Sequence, residues 1–296
     1  MQSSEPYASL RERVIGERGV VMLIGATDTG KTTLGRYIAR DALGFGQRVA
    51  FIDADVASST VGPPACVGLK HVESAPDLHN LHEADELRFV GSVHAQGVVL
   101  PHVVAAAALV ERARRRNADL IVLDTTGVVG GVVGQTLKYH LTELAAPTLV
   151  IVMQRGGEME PIIGMLHRFL GVRVAKAEPH PDHVSLSPVE RSEQRTKAFA
   201  DALAEPLDRW RIQPTVFAPT LPEAFEDEKL DGMLVGIQDE HGGCLGLGVV
   251  EHEEDHLRVA TRHGEAMKGL RLGSMRIDLE THATTPVRLR QLFFGI

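Results

Sequence analysis

At 296 residues the chain exceeds the usual size of one domain, so a main domain with a smaller one attached is the first expectation. Hydrophobic residues make up 44%, and no apolar run approaches the roughly 20 residues that cross a bilayer, which predicts a soluble globular protein and excludes a spanning one. A formal charge of −8 argues against a surface that coats nucleic acid, since such binding draws on many Lys and Arg contacts to phosphate, but it leaves room for a small basic pocket around one strand end.

The first residues, "MQSSEPYASLRERVIGERG", lack the apolar centre and small-residue cleavage site of a secretion signal, so a cytoplasmic location is expected. "VVMLIG" predicts a first strand, followed by a loop and a helix from Lys31 to Gly44 and Gly46. "RVAFIDAD" predicts a second strand that ends in two acids, Asp53 and Asp55. Strand alternation puts both on one face. "PHVVAAAALVERARRR" reads as a helix, "ADLIVLDTTG" as a third strand, "QTLKYHLTEL" as a helix and "TLVIVMQ" as a fourth strand. "GEMEPIIGMLHRFLG" carries Met159, Ile162, Ile163, Leu166, Phe169 and Leu170 at helical spacing, which suits a helix covering a sheet. This alternation of apolar runs and helices predicts an α/β fold with a parallel sheet and helices on both faces.

Residues 178–190 are Pro-rich and polar and read as a loop before the charged, weakly amphipathic helix "RSEQRTKAFADALAE", a pattern suited to a flap. Four prolines in "EPLDRWRIQPTVFAPTLPE" mark a boundary, giving expected domains of 1–209 and 210–296, the second a small β domain built from hairpins. Cys66 and Cys244 lie far apart in sequence without CxxC spacing, which predicts buried free thiols. The "HPDH" pair, His180 and His183, lacks further metal ligands, and the arginines of "RARRR", Arg112 to Arg116, suit a helix C-terminus.

The chemistry concentrates in three segments. "GATDTGKTT" satisfies G-x-x-x-x-G-K-[ST] between a predicted strand and helix, which assigns nucleotide phosphates to Gly25, Thr27, Asp28, Thr29, Gly30, Lys31, Thr32 and Thr33. Lys31 reaches the β and γ oxygens, and the Thr32 hydroxyl is a candidate Mg²⁺ ligand. "VLDTTG" ends the third strand with Asp124, a second candidate for Mg²⁺, at the edge where open α/β sheets bind ligands. Arg191 and Arg195 are four residues apart on one helix face, placed to neutralise growing phosphate charge or simply to face solvent.

These segments and their order, together with "DADVASSTVGPP", "DTTGVVGGVVGQTLK" and "MQRGGEMEP", resemble the P-loop polynucleotide 5′-hydroxyl kinases, the Clp-type and Grc-type RNA kinases, and especially their bacterial and archaeal members. The resemblance implies a P-loop NTPase sheet with a helical lid, ATP and Mg²⁺ as cofactors, and γ-phosphoryl transfer to the 5′-hydroxyl end of RNA or DNA. It assigns Asp55 to the acid that orients and deprotonates the hydroxyl, Lys31 and Thr32 to phosphate and metal, and Arg191 and Arg195 to the lid. Thr125, Thr126 and Gly127 match the clasp on the nucleic-acid end, and Asp53 an acidic position that is less central, so these four are the expected substrate-binding residues. The chain departs from its relatives at Ala57 and Ser58, at His94 and Ala95, and at Val128, where the eukaryotic clasp has a Trp. Two other functions suit the same motifs: a non-enzymatic ATP-binding scaffold subunit, and a small-molecule phosphotransferase or NTPase.

Overall fold

The computed structural model describes residues 7–14, 16–179, 185–222, 225–253 and 256–294, so His180 and His183 lie outside the described residues. A short helix α1 (Ala8–Val14) precedes strand β1 (Gly19–Gly25), helix α2 (Lys31–Gly44) and strand β2 (Val49–Ala54). Then come β3 (Cys66–Val72), β4 (Glu86–Phe89), α3 (Val99–Arg115), β5 (Leu120–Thr125), α4 (Gly131–Ala145) and β6 (Leu149–Met153). Helix α5 (Glu160–Met165) widens into a π turn over Leu166–Leu170 before β7 (Val174–Ala177) and helix α6 (Pro188–Ala202). The remainder is strand-rich: β8 (Asp208–Ile212), β9 (Phe217–Ala218), β10 (Met233–Gln238), β11 (Cys244–Glu253), β12 (His256–Thr261), β13 (Gly269–Ile277) and β14 (Thr284–Pro286), closed by α7 (Leu289–Phe294).

Strands β2, β5, β1, β6 and β7 lie side by side and parallel. Successive residues of a strand face opposite ways, and the helices divide accordingly. Val20, Met22 and Ile24 of β1 pack with Ala50, Ile52 and the apolar stripes of α3, α4 and α5. Val21 and Leu23 pack on the other face with Leu34 and Ile38 of α2 and Leu10 of α1. The helices on both faces leave the carboxyl ends of the parallel strands open at one edge. β5 and β6 flank β1 on opposite sides, so the chain's crossovers diverge there and open a crevice beyond β1 and β5.

On the other flank β3 adds antiparallel to β2 and β4 antiparallel to β3, in a stretch where sequence periodicity predicts no element. A single Cys244–Leu87 pair then joins β4 to β11, so one sheet runs on into the C-terminal strands. Strand β8 spans the boundary expected between residues 209 and 210 and pairs with β12. Phe199 and Leu203, on and just after α6, share a core with Phe89 of β4 and Leu234, Leu247 and Val249 of β10 and β11. Helix α6 is thereby rooted in the C-terminal strands.

The two cysteines, distant in sequence, come together at this seam as buried free thiols. A hydrogen bond with Cys244, and then burial, push the Cys66 thiol well up, which keeps it protonated and unreactive. The arginines closing α3 are structural: Arg112 and Arg116 pair with Glu86, Arg115 with Glu111, and Arg114 donates to the carbonyl of Ala145. No helix among the described residues is long and apolar enough to cross a membrane.

Candidate active site

The glycine-rich loop turns from β1 into α2 at Gly30, whose φ of 85° is readily adopted only without a Cβ. Thr29 Oγ1 and Lys31 Nζ both donate to the Ala26 carbonyl at 2.9 Å, which closes the loop around its own amides. Lys31 is 7% exposed and opens α2, so its ammonium and the helix N-terminus present positive potential to the same space. Thr27 and Thr33 are exposed, Asp28 and Thr32 half-buried, and Gly25 and Thr29 buried.

Register brings the acids together. Asp53 of β2 stands beside Asp124 of β5, and both are 1% exposed. Thr32 Oγ1 donates to Asp124 Oδ2, which ties the head of α2 to β5. The other oxygen, Asp124 Oδ1, is buried with no hydrogen-bond partner among the described residues. Burial raises the Asp124 carboxyl to about 6, opposed by Lys31 and the Thr32 hydroxyl.

Asp53 and Asp55 have different surroundings. Asp53 is buried, and its carboxylate accepts from the amides of Asp55 (2.8 Å), Val61 (3.2 Å) and Thr60. It is held well above the usual carboxylate range by burial and by the charges of Asp124 and Asp55. Asp55 lies just past the end of β2, half-buried. Its Oδ1 accepts from Ala57 N at 3.1 Å and Ser58 N at 3.3 Å, so the two positions that depart from the relatives still supply backbone donors. Among the described residues Asp55 Oδ2 accepts no hydrogen bond.

At the end of β5, the Thr125 hydroxyl donates to the Leu23 carbonyl at 2.7 Å, and Thr125 and Thr126 are buried. Gly127 lies so close to the glycine-rich loop that a Cβ there would stand 2.6 Å from Thr27 N. The segment 125–127 therefore rests directly on the phosphate loop.

Helix α6, the expected lid, also reaches the loop. Ser187 caps α6 through Glu190, and Arg191 Nη1 donates to Asp28 Oδ2 at 2.7 Å and to the Leu186 carbonyl. Arg195 is half-buried and has no ion-pair partner among the described residues. Arg155, which sequence reasoning quotes without a role, donates to the Asp28 carbonyl from the loop after β6.

Two further buried groups escape sequence reasoning. Lys138 of α4 is fully buried and donates to Thr125 Oγ1 at 2.7 Å and to the Thr126 carbonyl at 2.6 Å. Burial, and then the like charge of Lys31, lower it to about 7 against the pull of Asp55 and Asp124. His102 of α3, also fully buried, donates from Nε2 to the Ala54 carbonyl at 2.7 Å, and burial lowers it to about 4. Neutral His102 so bonded leaves Nδ1 unprotonated, and that atom has no partner among the described residues. Lys138 appears in sequence as one polar residue of a helix, and no spacing marks it as buried.

Residues 25–201, more than half of the chain, match the family model described as the mRNA cleavage and polyadenylation factor CLP1 P-loop. The chain belongs to the CLP1 P-loop family. Within it, a polyribonucleotide 5′-hydroxyl-kinase of Pyrococcus furiosus is 26% identical over 98% of this chain and 90% of its own length. One of Methanocaldococcus jannaschii is 25% identical over 87% of each chain. The fold of Clp1p in its wild-type complex with Pcf11p superposes with a TM-score of 0.69, covering 90% of this chain and 78% of that one at 13% identity. Membership in a P-loop family carries nucleotide binding with it, and the glycine-rich loop of this chain is complete.

Proposed function

We propose that this protein is an ATP-dependent polynucleotide 5′-hydroxyl kinase acting on RNA ends. The observation that carries the reading is the convergence of Lys31, Thr32, Asp124 and Asp55 at the carboxyl edge of β1, β5 and β2, in a chain that covers 87% and 90% of two relatives named for this activity. The phosphate loop holds the ATP phosphates through its amides and Lys31. Thr32 and Asp124 fit Mg²⁺: a hydroxyl and a carboxylate with one unpartnered oxygen suit a hard cation that keeps several waters, and no group of three or more His, Cys, Asp or Glu is required or found among the described residues. When bound, the ion neutralises charge on the β and γ oxygens.

Asp55 Oδ2 accepts the hydrogen bond of the acceptor 5′-hydroxyl and aims its oxygen at the γ-phosphorus. A bond forms from that oxygen to phosphorus, the bond from phosphorus to the β–γ bridging oxygen breaks, ADP departs, and the hydroxyl proton passes to Asp55. In a loose transition state the proton moves late, so orientation is the larger part of this role. Asp53, expected on the substrate side, is buried beneath the Asp55 loop and serves it as an anchor. Arg191 and Arg195 close over the transferring group, and Thr125 to Gly127 contact the acceptor end. The C-terminal strands form a small β domain that roots the lid.

The test is transfer of label from γ-labelled ATP to RNA and DNA oligonucleotides with 5′-hydroxyl ends. Label on RNA supports the proposal, and equal label on DNA widens its substrate range. Tight ATP binding without transfer or turnover selects the scaffold reading, and label on small alcohols alone selects the small-molecule one.

A further inference from the structure

Lys138 is unusual because the roles proposed above leave it idle although it occupies the centre of the site. A fully buried ammonium is costly unless its N–H groups are bonded and its charge is balanced. Here Thr125 Oγ1 and the Thr126 carbonyl accept from it, and Asp55 and Asp124 supply the opposing charge, with Lys31 the like charge and neutral His102 nearby on α3. The bonded segment is the one whose next residue, Gly127, lies against Thr27 of the phosphate loop. Thr125 is fixed from its other side by the Leu23 carbonyl. A chain of contacts thus runs from α4 through Lys138 to the segment that faces the acceptor, and on to the loop that faces ATP.

We propose that Lys138 is a positioning residue, which holds Thr125–Gly127 against the phosphate loop and thereby sets the approach of the acceptor 5′-hydroxyl to the γ-phosphate. Its ammonium touches neither substrate. This inference rests on the kinase reading for the identity of the acceptor, while the tether itself is a property of the fold. Removing the ammonium frees the segment and weakens use of the acceptor, and ATP, held by the loop's own amides and Lys31, binds as before.

The experiment uses the full chain and Lys138→Met, which keeps an unbranched apolar stem, with Thr125→Val and the double variant alongside. Amide hydrogen exchange at residues 125–130 reads the tether. Steady-state transfer reads the KM for a 5′-hydroxyl RNA separately from the affinity for ATP. Expected for Lys138→Met are faster exchange confined to that segment, an RNA KM raised about 10-fold or more, and ATP affinity within about 2-fold of the parent, the cost of losing one charged hydrogen-bond donor. The double variant is expected to lose less than the sum of the two single losses, since both changes break the Lys138–Thr125 bond and Thr125→Val adds only the loss of the bond to the Leu23 carbonyl. Unchanged exchange overturns the tether. Faster exchange with an unchanged RNA KM, or equal losses for RNA and ATP, overturns the positioning role, and so do additive losses in the double variant. If Lys138→Met does not fold, Thr125→Val alone must reproduce the RNA-selective loss, and failure to do so also overturns it. A parent that transfers no phosphate removes the kinase reading and the acceptor half of this proposal, and exchange still decides the tether.

Discussion

The phosphate-side floor and the lid are built by opposite means. The floor is a set of buried polar groups, Asp53, Asp124, Thr125 and Lys138, each locked by strand register or by hydrogen bonds to backbone. Helix α6 buries only Phe199 among its residues and meets the phosphate loop through the Arg191–Asp28 pair, beside which Arg155 of the loop after β6 donates to the Asp28 carbonyl. A floor held in this way is preorganised for charge that develops during phosphoryl transfer. A helix with few buried side chains moves at low cost, which the proposed lid role requires for substrate entry and product release. Damage to the floor should therefore impair use of the acceptor or the stability of the fold, whereas damage to α6 should slow turnover with the fold intact.

The largest expected effect is that of Lys31→Ala, which removes the loop's side-chain cation: transfer falls by about 10³-fold or more and ATP binding weakens, as measured by label transfer and calorimetry. An unchanged rate would break the assignment of the phosphate loop. Next is the lid, where the double change of Arg191 and Arg195 to Ala lowers turnover by about 10²-fold with a much smaller loss of ATP affinity and an unchanged melting temperature. A melting temperature that drops with activity would show that the lid is part of the core after all.

His102 sharpens the contrast on the stability axis. Its folded value near 4 lies below the usual 6.5, so the unfolded chain takes up the proton first as pH falls. The stability it supports is fully present above about pH 6.5 and is lost as pH falls toward 4, a loss of about 2 kcal/mol by pH 5. Urea midpoints at about pH 7.5 and 5 should show this loss in the parent and less of it in His102→Gln. The smallest effect is expected from Asp28→Asn, which weakens a partly exposed ion pair worth about 1 kcal/mol or less and changes the KM for ATP only a few-fold. A large loss there would mean that Asp28 supports the loop itself.

The same contrast governs what the sequence discloses. The phosphate loop is legible residue by residue, because a glycine at φ 85°, a lysine and a threonine are required at fixed offsets between a strand and a helix. Asp124 and the Arg191 turn are legible as positions, since strand ends and helix faces follow from periodicity. Strands β3 and β4 are hidden: both pair antiparallel and are set among Gly-Pro and acidic turns, β4 has only four residues, and their pairing partners are set by the fold. Alternation puts Asp53 and Asp55 on one face, yet β2 stops at Ala54 and the loop folds back, which buries Asp53 under three amides and leaves Asp55 at the edge. Lys138 and His102 are hidden for another reason. A buried charge is chosen by its three-dimensional neighbours, and no spacing within a helix announces them.

The central claim is that Asp55, and not its buried neighbour, serves the acceptor hydroxyl. Single-turnover transfer from γ-labelled ATP to a 5′-hydroxyl RNA, measured with equilibrium ATP binding on the parent, Asp55→Asn and Asp53→Asn, tests it directly. The account predicts a rate loss of about 10²- to 10⁴-fold for Asp55→Asn with ATP affinity retained, the usual worth of a positioned general base. For Asp53→Asn it predicts a smaller rate loss, accompanied by lowered stability as the loop loses its anchor. A greater rate loss at Asp53 than at Asp55, or none at Asp55, would contradict it.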